Sequence, residues 1–162
     1  MSDLRSYSTV YPNVQKGEVE PTGGYVEVHV THNGEEAERN IETAILLAKL
    51  GYQVRLLPID DTPNRKNPDA YLVKEQLILE FRHNYRPTAS AIDNEIRDAR
   101  HQADYVLLHI QSKIKKGDLC AAIENRLKAA LTIKEVWLIW QGELIRLKRK
   151  EVFNGTMRRK IQ

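Results

Sequence analysis

The stretch from Lys66 to Ile110 constrains the fold of this chain most. It contains KNPDAYL, then LILEFRH, a break at Arg86-Pro87, a helical segment over TASAIDNEIRDARHQA, and finally YVLLHI. Tyr105 to Ile110 is nearly continuous apolar, the pattern of a strand buried on both faces in the middle of a sheet. Ile92, Ile96, Ala99 and Ala103 recur at helical spacing ahead of it, so a helix lies between two strands. Ser90 is positioned to cap that helix, with Asp93 three residues on approximating a capping box.

The flanking sequence extends the same alternation. Tyr25 to Thr31 reads as a half-buried strand with Val26, Val28 and Val30 on one face. Glu35 to Leu50 is the clearest helix, with Ile41, Ala44, Ile45 and Ala48 as its apolar stripe and Gly51 as the glycine that ends it. QVRLLP is a short strand, and Ile59 to Pro68 is a loop. A third helix runs from a cap at Asp118 through Leu119, Ile123, Leu127 and Ala130. Glu135 to Trp140 and Glu143 to Lys148 form a hairpin over Gln141-Gly142. The expected order is β-α-β-β-β-α-β-α-β-β: an α+β chain with one mixed, largely antiparallel sheet and about three helices. Residues 1–24, rich in Pro and Gly, read as an irregular arm, residues 25–148 as a single domain, and residues 149–162 as a basic tail.

Composition narrows the function. The 162 residues are 41% hydrophobic with 25 Lys/Arg against 22 Asp/Glu, a globular chain whose net charge of +3 does not by itself announce a nucleic-acid binder. From Glu143 onward, however, seven Lys/Arg face two Glu, a run that either contacts phosphates or is a solvated end. The single cysteine, Cys120, forms no internal disulfide and sits among small apolar residues as a core residue. No signal-peptide pattern and no membrane-length apolar run are present, so a soluble, cytoplasmic protein is the expectation. Scattered histidines show no zinc spacing, and no phosphate-cradling glycine loop or nucleophile elbow occurs, so no metal or cofactor is expected.

Taken together, ETAILLAKLGYQVRLLP, KNPDAYL, LILEFR, TASAIDNEIRDARHQADYVLLHI and the final hairpin, in that order over roughly residues 30–148, resemble the tRNA-nuclease domain at the C-terminus of CdiA-type contact-dependent inhibition toxins. That resemblance implies a barnase/RelE-like ribonuclease fold, metal-independent cleavage of RNA (tRNA in that family) and a protein partner of the immunity type. A second resemblance competes. Pro68-Asp69 followed by Glu80-x-Arg82 approximates the PD-(D/E)xK nuclease core, in which two carboxylates on a hairpin bind a divalent metal beside a lysine. Arg82 departs from that lysine, because a guanidinium stays protonated and cannot transfer a proton. A third possibility is a relative without catalysis that binds a protein or nucleic acid.

Metal-free RNA cleavage needs a group to take the 2′-hydroxyl proton, another to protonate the leaving oxygen, and cations or donors at the phosphorane. The candidates are Glu80, Arg82, Thr88, Ser90 and Asp69 for catalysis, with Arg86, Arg146 and Lys148 for RNA. Strand alternation puts Glu80, Arg82 and Asn84 on one face and Phe81 and His83 on the other. Each also has a purely structural reading: Thr88 and Ser90 as caps, Glu80 and Arg82 as an ion pair, Asp69 as a turn residue. Trp137 and Trp140, three apart in one strand, point to opposite faces, so one is a core residue and the other either packs as well or stacks on a base or a partner protein.

Overall fold

A computed structural model describes residues 6–162 and divides them into two compact units, one ending at Ile78 and the other Leu79–Gln162. The fold is α+β with mixed strand pairing. In the first unit β1 (Tyr7–Tyr11) pairs antiparallel with β2 (Tyr25–His29). Helix α1 (Gly34–Lys49) then crosses over to β3 (Gln53–Leu56), parallel to β2, and β4 (Ala70–Leu72) returns antiparallel to β3. Strand β5 (Leu77–Asn84) leads into the second unit, which continues through α2 (Ala89–Ala99), β6 (Tyr105–Ile110), α3 (Lys116–Ala129), β7 (Glu135–Trp140) and β8 (Glu143–Lys148), and ends in α4 (Arg149–Phe153) and α5 (Thr156–Lys160). Strands β5, β6 and β7 are parallel neighbours, and β8 closes the unit as an antiparallel hairpin on β7.

The element order from β2 to β8 is the one the sequence predicts. Strand β1 is not: the expected arm contains a strand because YSTVY is polar and mostly exposed, an edge strand without an apolar face. Tyr11 donates its hydroxyl to Glu20 Oε1 at 2.6 Å and ties the arm together. In α1 the buried stripe is Ala37, Asn40, Thr43, Ala44, Leu47 and Ala48. It is turned by about one residue from the expected Ile41/Ile45 face, and it includes two polar side chains that periodicity cannot see. Gly51 ends α1 as expected, at φ 101° with its N–H on Ala48 O. Gly24 is required for a different reason: a Cβ there would lie 1.8 Å from the Ala48 carbonyl oxygen. Val30, expected inside, lies beyond the end of β2 and is exposed.

In the second unit α2 and α3 cover one face of the parallel strands. Ile92, Ile96, Leu119, Ile123 and Leu127 meet Val106, Leu108, Val136, Leu138 and Trp140 in one core. Each such side chain, fully buried, contributes about 1.5–3 kcal/mol. Cys120 belongs to this core, and burial pushes its thiol pKa up. The basic end is not a solvated tail. It forms α4 and α5, and Val152, Met157 and Ile161 are buried in the same core. The tryptophans take opposite faces as alternation requires, and both are buried. Gln141 and Gly142 make the β7–β8 turn with φ of 50° and 82°, as a type I′ hairpin demands. No helix among the described residues is long and apolar enough to cross a membrane.

Candidate functional site

The parallel pairing of β5 with β6 sets Glu80 opposite Val106, Arg82 opposite Leu108 and Asn84 opposite Ile110. Those β6 residues belong to the helix-covered face, so Glu80 and Arg82 point into the layer between sheet and α2. Glu80 is 5% exposed. Arg82 sits over it and meets three carboxylates: Glu80 at 3.9 Å, Glu95 at 3.5 Å and Asp98 at 3.6 Å. Its Nε also donates to the Glu95 carbonyl at 3.4 Å. Burial pushes the Glu95 carboxyl up, against the pull of Arg82, and Asp98 pushes in the same direction as burial. Sequence reasoning paired Glu80 with Arg82 but missed Glu95 and Asp98. Their i, i+3 spacing on α2 was legible, but not which strand it would meet.

Thr88 and Ser90 lie elsewhere on the helix. Thr88 is the N-cap of α2, its Oγ1 accepting from Ala91 N at 3.2 Å, and Ser90 falls in the first turn rather than at the cap. Glu95 and Asp98 are seven and ten residues beyond Thr88, about 10 and 15 Å by helical rise. The structure therefore brings Glu80 and Arg82 together and leaves Thr88, Ser90 and the exposed Arg86 at the other end of α2. That end is organised by Asn84, 1% exposed, which was not among the predicted site residues. Its side-chain amide donates to Arg86 O at 2.9 Å, its Oδ1 accepts from the Ser112 hydroxyl at 2.5 Å, and its backbone O accepts from Gln111 N at 2.8 Å. On the other face of the strands, His83 and His109 are cross-strand neighbours with ring centroids 5.7 Å apart, and Gln111 Nε2 lies 3.4 Å from His83 Nδ1.

Asp69 belongs to the first unit, immediately ahead of β4. Its Oδ1 accepts from the buried Asn40 amide of α1 at 3.2 Å, and its backbone O accepts from Leu57 N at 2.9 Å. It lines a cavity of about 230 Å³ with His32, Glu36, Asn40 and Asn67. His32 Nε2 is 2.5 Å from the Leu57 carbonyl, which fixes that ring at the cavity wall. Among the described residues no group of three or more His, Cys, Asp or Glu is arranged to hold a metal ion.

Of the two C-terminal cations expected to bind RNA, Arg146 is engaged within the second unit and the Lys148 side chain is exposed. Arg146 donates to Glu135 at 2.8 Å and lies over the Trp137 ring at 4.3 Å. Lys148 is the N-cap residue of α4, its backbone N–H on Glu151. Arg149 donates to the carbonyls of Ala130 and Ile133 at 2.9 and 3.0 Å and to that of Leu127, closing the C-terminus of α3. Arg158 pairs with Glu124, and Lys160 with Glu151.

No protein-family model matches the chain, and no curated protein matches it. A solved structure does: a chain of the CdiA-CT/CdiI toxin and immunity complex from Burkholderia pseudomallei has 21% sequence identity and a TM-score of 0.50, over 72% of this chain and 89% of that one. At that identity the likeness is one of fold.

Proposed function

We propose that the chain is a nuclease domain of the toxin type whose substrate is RNA, tRNA included, and whose natural partner is an immunity protein. The observation that carries this reading is the Glu80–Arg82 pair on inward positions of a sheet strand, with Glu95 and Asp98 of α2 gathered around the guanidinium. A charge cluster there is a poor stabiliser compared with apolar packing, and perturbed, partly buried charges gather at functional sites. The fold likeness to a chain of a toxin and immunity complex supports the same direction, as does the resemblance of the sequence to the tRNA-nuclease domain of CdiA-type toxins. In this reading Arg82 steadies the charge of the phosphorane, Glu80 takes the 2′-hydroxyl proton and returns it to the leaving 5′-oxygen, and Glu95 and Asp98 hold the guanidinium in place. Thr88, Ser90 and Arg86 take a flanking phosphate at the α2 N-terminus.

A second reading is metal-assisted cleavage, with Asp69 and Glu80 as oxygen ligands. It is favoured by the sequence order Pro68-Asp69 then Glu80-x-Arg82, which approximates the carboxylate pattern of PD-(D/E)xK nucleases. A bound magnesium or manganese ion would supply Lewis-acid chemistry at the phosphate. The two readings separate on one experiment. Metal-free cleavage proceeds in EDTA and leaves 2′,3′-cyclic phosphate ends; metal-assisted hydrolysis stops in EDTA and returns with magnesium or manganese. Folded protein that cleaves no RNA under either condition defeats both and leaves a binding module.

A further inference from the structure

The carboxyl ends of β5, β6 and β7 carry a set of charges that the fold itself does not use. Lys113, Lys115 and Lys116 follow β6, and Arg86 follows β5. None of the four has an acidic partner within ion-pair distance among the described residues, in contrast to Arg146, Arg158 and Lys160. The Asn84 clamp joins the two strand ends, bonding the Arg86 carbonyl on one side and Ser112 on the other. The basic groups are therefore presented by one braced edge.

Two further features distinguish this edge from an ordinary solvated surface. The N-cap residue of α3 is Lys115, which makes no side-chain cap bond, and Lys116 opens its first turn. Cations at the positive end of a helix dipole are unfavourable, and Ser, Thr, Asp or Asn is the residue type that stabilises such a cap. Asp118, exposed in the same turn, offsets this only in part. Tyr85, beside Arg86, is 54% exposed and stacks on His83 at 6.4 Å with the rings 14° from parallel. An exposed aromatic braced by His83 at the strand end that carries Arg86 suits bases and phosphates better than it suits an acidic protein. A cavity of about 330 Å³ lined by Gln111, Ser112, Lys113 and Gln141 opens on the same edge and offers amide and hydroxyl groups to a base.

We infer that this edge is a docking surface for single-stranded RNA, with Lys113, Lys115, Lys116 and Arg86 on the backbone phosphates and Tyr85 stacked on a base. The inference rests on the nuclease reading for its choice of RNA.

The test is anisotropy of a fluorescent 2′-O-methyl oligonucleotide in EDTA, a probe that neither cleavage route consumes, titrated with the full chain over a range of salt. The triple variant K113Q/K115Q/K116Q is expected to lower the slope of log K against log salt by about 2, since each single-strand phosphate contact contributes about 0.7. Tyr85→Ala is expected to weaken binding roughly tenfold with the slope unchanged. Lys128→Gln with Lys150→Gln, exposed lysines elsewhere in the same unit, is the charge-matched control and is expected to change neither. Unchanged affinity and slope in the triple variant, with RNA still cleaved, would overturn the surface and leave the nuclease reading standing. RNA binding kept while poly-glutamate binding is lost would assign the edge to an acidic protein and overturn it too. A folded wild type that neither binds nor cleaves any RNA overturns both.

Discussion

The segments 113–116 and 146–160 look alike as sequence, since both are basic, yet the structure treats them oppositely. In 146–160 four of the seven cations serve the fold: Arg149 closes the end of α3, while Arg146, Arg158 and Lys160 each hold a carboxylate. In 113–116 three lysines have no acidic partner among the described residues, and two of them sit where a helix disfavours positive charge. The difference teaches that charge density along a chain says little about where a polyanion binds. What matters is whether the fold has already neutralised the charge, and for a helix-forming segment that depends on contacts from distant elements.

This contrast can be broken at several points. The largest effect is expected from deleting residues 149–162. That removes Val152, Met157 and Ile161 from the core, together with the closure of α3. The loss is several kcal/mol, enough to abolish cooperative unfolding of the second unit by near-UV circular dichroism. A folded, truncated protein would show that the segment is a tail after all. Arg149→Ala comes next. Three carbonyls lose a charged donor, and stability is expected to fall by about 2 kcal/mol in urea, with the salt slope of RNA binding unaltered. A change in slope instead would count Arg149 among the phosphate ligands.

Another engaged cation, Arg126, gives the comparison a pH signature. It grips Asp93 through two bonds of 2.9 and 2.7 Å and holds that carboxyl below its ordinary 3.8. A carboxyl depressed by folding contributes stability that is present above the unfolded value and is lost as pH falls through the folded one. The unfolding midpoint should therefore drop on acidification below about pH 4, and Asp93→Asn should flatten that drop and cost about 1 kcal/mol at neutral pH. An identical acid limb in the variant would show that the pair contributes nothing. The smallest effect on stability should be a gain. Lys115→Ser supplies the missing cap of α3 and is expected to raise stability by about 0.5–1 kcal/mol while weakening RNA binding. Stability and binding moving in the same direction would remove the case that the open lysines are kept for a ligand.

Much of the fold was legible because it is written in local periodicity. The apolar run at Tyr105–Ile110, the turn at Gln141-Gly142 and the stop at Gly51 each need only neighbouring residues to specify them. What could not be read depends on contacts between elements. Strand β1 has no apolar face. The α1 stripe includes Asn40 and Thr43, whose burial only the tertiary fold explains, and Asn40 is the residue that holds Asp69. Alternation on β5 correctly put Glu80 beside Arg82, since two residues of one strand share a face whatever surrounds them. It could not show that Arg82 is also held by Glu95 and Asp98, or that Thr88 stands two or more helical turns away.

The most direct measurement is turnover of RNA by the full chain with Arg82 varied, scored with and without EDTA and beside the unfolding midpoint of each protein. The account predicts that wild type cleaves RNA. Arg82→Lys should retain cleavage, because the role at the phosphate is electrostatic, and Arg82→Ala should lose about a hundredfold or more in rate while remaining folded. A wild type that cleaves RNA as fast as an equally stable Arg82→Ala protein would contradict the site built on Glu80 and Arg82.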